Sequence, residues 1–146
     1  MAQPIEQEKE VNPATLTGEM EVIIIDDDPL FRLMLQDYLL EEGIGSELFD
    51  NGITFLEKYK AGDFRKIILD YEFGMGPDGL TVLKKIIAIN PLARIIVVSG
   101  VDDLEKAVET IRYGATDYFL KTSTTVFANI LCSLIKLRQL EKLKLN

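Results

Sequence analysis

The residue order predicts one α/β domain, a doubly wound (βα)5 three-layer sandwich with a five-stranded parallel sheet at its centre. Three observations lead there. The apolar runs Val22 to Ile25, Ile67 to Leu69, Ile95 to Val98 and Tyr118 to Leu120 are consecutive rather than alternating, the pattern of parallel strands covered on both faces. Stretches with apolar residues at helical spacing lie between these runs, and the junctions that join them are short. Parallel strands joined this way take right-handed crossovers.

The first strand, Val22 to Ile25, ends where Asp26, Asp27 and Asp28 begin. Asp28 is a fitting helix N-cap, Pro29 suits the first helical position, and Phe31, Met34, Leu35, Tyr38 and Leu39 recur at helical spacing up to Gly43. Ile44 to Asp50 reads as the second strand, and Ile53, Leu56 and Tyr59 mark one face of a second helix that stops near Gly62. The third strand runs from Arg65 to Asp70. Asp78-Gly79 opens a helix with Leu80, Leu83, Ile86 and Ile87 facing inward, and Asn90-Pro91 ends it before the strand Arg94 to Val98. Asp102 or Asp103 caps a helix bearing Leu104, Ala107, Val108 and Ile111, closed by Gly114; Thr116 to Leu120 is the fifth strand. The last helix is expected from about Thr124 to near the C-terminus, roughly 33 Å at 1.5 Å per residue. That exceeds what the sheet requires, so Leu137, Leu140, Leu143 and Leu145 are expected to project toward a second copy or a downstream partner.

At 146 residues the chain has the length of one domain, able to bury about two thirds of its unfolded surface. The expected division is a flexible N-terminal tail over 1–19, a domain over 20–137 and an extension of the last helix over 138–146. The tail has no apolar core like that of a secretory signal and carries four Glu against one Lys, which favours a cytoplasmic chain. No apolar run reaches the roughly 18 residues a membrane span needs. With no histidine the chain has no His-based zinc site and no Ser-His or Cys-His catalytic pair, and the single Cys132 is expected to fill the core. The net charge of −8 argues against direct nucleic-acid binding. Residues 121–146 hold five Lys or Arg and one Glu, leaving −12 on the remainder; cations late in a helix offset its dipole.

In a sheet of this kind ligands bind at the carboxyl ends of the strands, where strand order reverses. Asp26 and Asp27 follow strand one, Asp70 ends strand three, Ser99 follows strand four and Lys121 follows strand five. Two carboxylates roughly 5 Å apart repel by about 3 kcal/mol at an effective dielectric of 20. Either one carboxyl keeps its proton or a divalent cation enters, and all-oxygen donors favour a hard ion such as Mg²⁺. Carboxylate is a competent nucleophile toward phosphorus, and phosphoryl transfer calls chiefly for charge neutralisation on the phosphoryl oxygens. Asp70 stands alone and suits the nucleophile; Asp26 and Asp27 suit the ion.

The segments Ile-Ile-Ile-Asp26-Asp27-Asp28-Pro, Ile-Ile-Leu-Asp70, Asp78-Gly79, Val-Val-Ser99-Gly and Gly114-Ala-Thr-Asp-Tyr118-Phe-Leu-Lys121, in this order and spacing, resemble the receiver domain of bacterial two-component response regulators. The likeness covers roughly Glu21 to Leu137 and implies a flavodoxin-like fold of the chemotaxis-regulator type. It implies that Asp70 accepts phosphate from a histidine kinase or histidine phosphotransfer protein, a signalling rather than an enzymatic role. It further implies that Asp27, Asp70 and the backbone carbonyl of Glu72 bind Mg²⁺, with Asp26 acting largely through water. Lys121 would contact the phosphoryl group, Ser99 would shift to bond it, and Tyr118 would swing inward behind Ser99.

Two departures stand out. The stretch from Asp70 to Asp78-Gly79 carries one residue more than the family pattern, with proline at Pro77, and Thr122 replaces the proline that usually follows the lysine. A cis bond before threonine costs about 3 kcal/mol, so trans is expected. Glu72 also puts an anion near the phosphoryl group, where it would alter the phosphate's lifetime. Two other readings are compatible with these residues. One is a receiver-like scaffold without phosphate turnover. The other is an aspartate-nucleophile phosphatase of the haloacid dehalogenase type using Asp26, with Asp28 as acid; it needs a further acidic pair after the lysine, and only Glu141 follows Lys121.

Overall fold

The computed structural model describes residues 20–145, with side chains to Leu143. The expected tail over 1–19 lies outside the described residues. Five strands alternate with five helices: β1 Val22–Ile25, α1 Pro29–Glu41, β2 Ser46–Phe49, α2 Gly52–Lys58, β3 Lys66–Asp70, α3 Gly79–Ile89, β4 Ile95–Ser99, α4 Leu104–Arg112, β5 Asp117–Leu120 and α5 Val126–Leu145. All pairings are parallel, in the order β2-β1-β3-β4-β5. The doubly wound three-layer sandwich is as expected, with strand order reversing between β1 and β3.

Alternation along the buried strands sorts their side chains to two faces. Ile23, Ile25, Ile67, Leu69, Ile95 and Val97 join Phe55 and Tyr59 near α2 and Val82, Leu83 and Ile86 of α3. Val22, Ile24, Ile68, Ile96 and Val98 meet Leu35 and Leu39 of α1 and Ile130 and Leu134 of α5. Because each face has its own helical cover, the central strands β1, β3 and β4 run apolar through their middles to the carboxyl edge.

Caps form as the local sequence dictates. Asp28 accepts from the Leu30 amide, Asn51 from Thr54, Asp78 from Thr81, and Asp103, rather than Asp102, from Glu105 and Lys106. Among the described residues no peptide bond is cis, so Lys121-Thr122 is trans as expected.

Several expected faces are corrected. In the seven-residue α2 the buried ring is Phe55, and Ile53 is 53% exposed; at 100° per residue, a two-residue change of reference turns the face away from the sheet. In α3, Val82 joins Leu83 and Ile86 in the core while Leu80 and Ile87 are only partly covered. Cys132 is exposed, not core, and its neighbour Ser133 takes the buried position, donating to Asp117 at 2.5 Å. Leu137 is buried rather than projecting, while Leu140 and Leu143 are exposed and Leu145 has no described side chain. α5 is held along its length: Arg138 pairs with Glu21 at 2.5 Å and Glu141 with Lys66 of β3 at 2.6 Å.

Candidate functional site

Register brings the site together. Ile25 lies beside Leu69, so Asp26 emerges next to Asp70, and Asp70 is itself paired with Val98, one residue before Ser99. Ser99 pairs with Leu120, and its carbonyl accepts the Lys121 amide at 2.8 Å. Asp26, Asp27, Asp70, Ser99 and Lys121 thus share the carboxyl edge at the β1/β3 reversal, the expected location.

Asp26, Asp27 and Asp70 each offer a carboxylate oxygen within 4.8 Å of the others. Asp26 and Asp70 are buried and Asp27 is exposed. The Lys121 ammonium lies 2.8 Å from Asp26 Oδ2 and 3.3 Å from Asp70 Oδ1, with its charge 4.6 Å from the centre of the Phe31 ring. Asp26 also accepts the Asp28 amide at 2.8 Å, Asp70 accepts the Glu72 amide at 3.3 Å, and Asp27 accepts the Gly74 amide at 2.8 Å. Arg32 of α1 donates to the Asp26 carbonyl at 2.6 Å.

Burial, and then the charge of Asp26, push the Asp70 carboxyl up from 3.8 to about 8, against the opposing pull of Lys121. Burial likewise raises Asp26. At Lys121 burial works toward the neutral amine, but the two carboxylates outweigh it and the pKa is raised. One ammonium between two buried carboxylates leaves net negative charge that a proton or a cation must balance. The donor set is all oxygen and compact, which fits a hard divalent ion.

Ser99 donates to Glu72 Oε2 at 2.5 Å and accepts the Val101 amide at 3.0 Å. Tyr118 lies on β5, half-buried, its hydroxyl donating to the Val101 carbonyl at 3.3 Å. Three participants escaped the sequence reading. Phe31 was legible only as a helix-face residue, the Gly74 amide depends on the path of the longer loop, and the Glu72 side chain was expected beside the phosphoryl group rather than on Ser99.

Comparison with known proteins gives the family. The family model described as "Response regulator receiver domain" matches residues 22–127. The chemotaxis protein CheY of Bacillus subtilis (strain 168) is 32% identical over 102 residues, 68% of this chain and 83% of that protein. The transcriptional regulatory protein ZraR of Klebsiella oxytoca is 30% identical over 107 residues, 73% of this chain but 24% of ZraR, so the chain spans about a quarter of that relative's length. Among solved structures, a CheY-like response regulator receiver domain protein from Methanospirillum hungatei JF-1 shares the fold with a TM-score of 0.72 at 24% identity, covering 87% of this chain and 98% of that one. The chain belongs to the response regulator receiver domain family, the phosphoacceptor signalling domains of two-component systems.

Proposed function

We propose that Asp70 is the phosphoacceptor, and that its donor is a histidine kinase or histidine phosphotransfer protein. The observation that carries this is the Lys121 ammonium lying between the buried Asp26 and Asp70 carboxylates. In the transfer, an Asp70 carboxylate oxygen forms a bond to phosphorus as the bond from phosphorus to the donor's imidazole nitrogen breaks, and that nitrogen keeps the electron pair. Later attack of water on phosphorus returns the carboxylate and releases inorganic phosphate. Lys121 holds negative charge that develops on the phosphoryl oxygens, and the Ser99 hydroxyl supplies a further donor. Asp26, Asp27, Asp70 and the Glu72 backbone carbonyl would hold Mg²⁺, which when bound supplies charge neutralisation on the same oxygens.

Output in this reading is a protein contact rather than catalysis or nucleic-acid binding, in the cytoplasm. Tyr118 shares the Val101 carbonyl with Ser99, so a shift of Ser99 reaches the surface through that loop. Leu104, Val108 and Ile111 lie exposed on α4 beside it, and Leu140 and Leu143 on α5, the surfaces we assign to a downstream partner or a second copy. Among the described residues no helix is long and apolar enough to cross a membrane.

Intact mass after incubation with acetyl phosphate and Mg²⁺ tests the assignment. Wild type should gain one phosphoryl group and Asp70→Asn none. Label on Asp70→Asn that disappears in Asp26→Asn would favour the phosphatase reading, and an unlabelled wild type the scaffold.

A further inference from the structure

Glu72 follows the acceptor by two residues, yet its side chain reaches across to the end of β4. Its Oε2 takes the hydroxyl of the fully buried Ser99 at 2.5 Å, and its Oε1 takes the Gly100 amide at 2.9 Å. Two donors at one strand end thereby close on both oxygens of a single carboxylate. A fork of hydroxyl and amide donors suits any planar or tetrahedral oxyanion, and Ser99 is the hydroxyl a phosphoryl group on Asp70 would require. The Glu72 amide is meanwhile tied to Asp70 Oδ1 at 3.3 Å, so only the side chain is free to swing.

We infer that Glu72 is a positioning residue that competes with the phosphoryl group for Ser99 and Gly100, holding the unphosphorylated state until charge on Asp70 expels it. The inference rests on Asp70 being the acceptor. Its physical basis is electrostatic: a phosphoryl group on Asp70 adds negative charge beside the Glu72 carboxylate in a partly buried pocket, where like charges repel strongly. Release of Glu72 frees the single Ser99 hydroxyl proton, and the Val101 carbonyl, which lies 3.2 Å from Ser99 Oγ and accepts from Tyr118 at 3.3 Å, links that release to Tyr118. The extra residue between Asp70 and Gly79 lies in the loop that carries Glu72. A neutral side chain at position 72 would leave the backbone carbonyl in place while weakening the clasp.

The experiment is a titration with beryllofluoride and Mg²⁺, a non-hydrolysed stand-in for the phosphoryl group, followed by fluorine NMR of the bound species. Glu72→Gln should bind about tenfold more tightly than wild type, the size expected for loss of charge-assisted hydrogen bonds from the competing state. In a Ser99→Ala background, where the clasp has already lost its hydroxyl, the same change should gain about twofold or less. The Gly100 amide resonance should also move in ligand-free Glu72→Gln. Equal affinity of Glu72→Gln and wild type would overturn the inference, and so would a full tenfold gain in the Ser99→Ala background, which would mean simple repulsion without the clasp. Binding absent from every chain would overturn the phosphoacceptor reading and the inference with it.

Discussion

A carboxyl group buried beside another, as Asp70 is beside Asp26, is held in its protonated form well above the range where it ionises in an unfolded chain. Its pKa rises from 3.8 to about 8, so between these values the native state binds more protons than the unfolded one. Stability is therefore greatest below about pH 4 on this account and falls as pH rises toward about 8. In chelator-treated protein, urea denaturation should show wild type losing on the order of 3 kcal/mol between about pH 5.5 and 8, with the loss mostly absent in Asp70→Asn. Mg²⁺ should restore most of it to wild type, because the cation replaces the proton as counter-charge. A pH slope shared equally by the two proteins would assign the destabilisation elsewhere. Below pH 4 a different residue dominates. Arg65 hydrogen-bonds the Asp63 carboxylate at 2.7 to 3.3 Å and lowers its pKa. That contribution is present above the ordinary carboxylate range and is lost as pH falls. Asp63→Asn should cost about 0.5 kcal/mol at neutral pH, modest because the pair is partly exposed, and nothing near pH 2.

At the scale of elements, the start of α3 is fastened to the end of β3. Asp78 caps the helix, and the Gly79 amide donates to the Tyr71 carbonyl at 2.7 Å. A Cβ on Gly79 would come within 2.4 Å of the Asp70 carbonyl oxygen and 2.5 Å of Tyr71 Cα, both backbone atoms that cannot turn aside. Gly79→Ala should therefore destabilise by about 2 to 3 kcal/mol and, if Asp70 is phosphorylated as proposed, slow its labelling by acetyl phosphate, because the Asp70 backbone must move. Gly74→Ala is the control. Its Cβ meets only Asp27 Oδ2, at 3.4 Å, so thermal melting should shift little. If both variants behave alike, the close approach at Gly79 does not position Asp70. Asp78-Gly79 was legible in the sequence as a helix opening, but the need for glycine was not, since it comes from the strand end at Asp70, nine residues away. The helical faces divide similarly. α1 was readable from Leu35 and Leu39, whereas in α2 and α3 the buried Phe55 and Val82 depend on where each short helix starts relative to the sheet. Cys132 lies outside the core because Ser133, a small polar side chain that donates to the half-buried Asp117, takes the inward position beside it. The placing of Asp26, Asp70, Ser99 and Lys121 on one edge was legible: a run of apolar residues must stop at the sheet's edge, and the group that stops it is placed by that fact alone. The clasp of Glu72 on Ser99 depends on loop path, which no periodicity encodes.

At the scale of the whole molecule, two of the ionic clusters stand at opposite ends of β3. Asp70 lies at the carboxyl end of β3 and Lys66 at its amino end, about 13 Å apart at 3.3 Å per residue. Lys66 has a side chain only 9% exposed and meets Glu141 of α5, itself 43% exposed, at 2.6 Å. The pair ties the distal half of the last helix to the sheet, far from Asp70. Removing one partner differs from removing the need for both. Glu141→Gln leaves the ammonium largely buried without its counter-charge, and because Glu141 is itself near solvent the cost should be about 1 kcal/mol rather than the several expected of a fully enclosed pair. Lys66→Met puts an apolar side chain of similar length in the same slot, frees Glu141 to water, and should be neutral or slightly stabilising. Beryllofluoride affinity should be unchanged in both, since neither reaches the carboxyl edge. Urea denaturation decides between the two: Lys66→Met less stable than wild type by more than about 1 kcal/mol would show that the ion pair contributes more than apolar filling of the slot does, and that α5 is held to the sheet by charge.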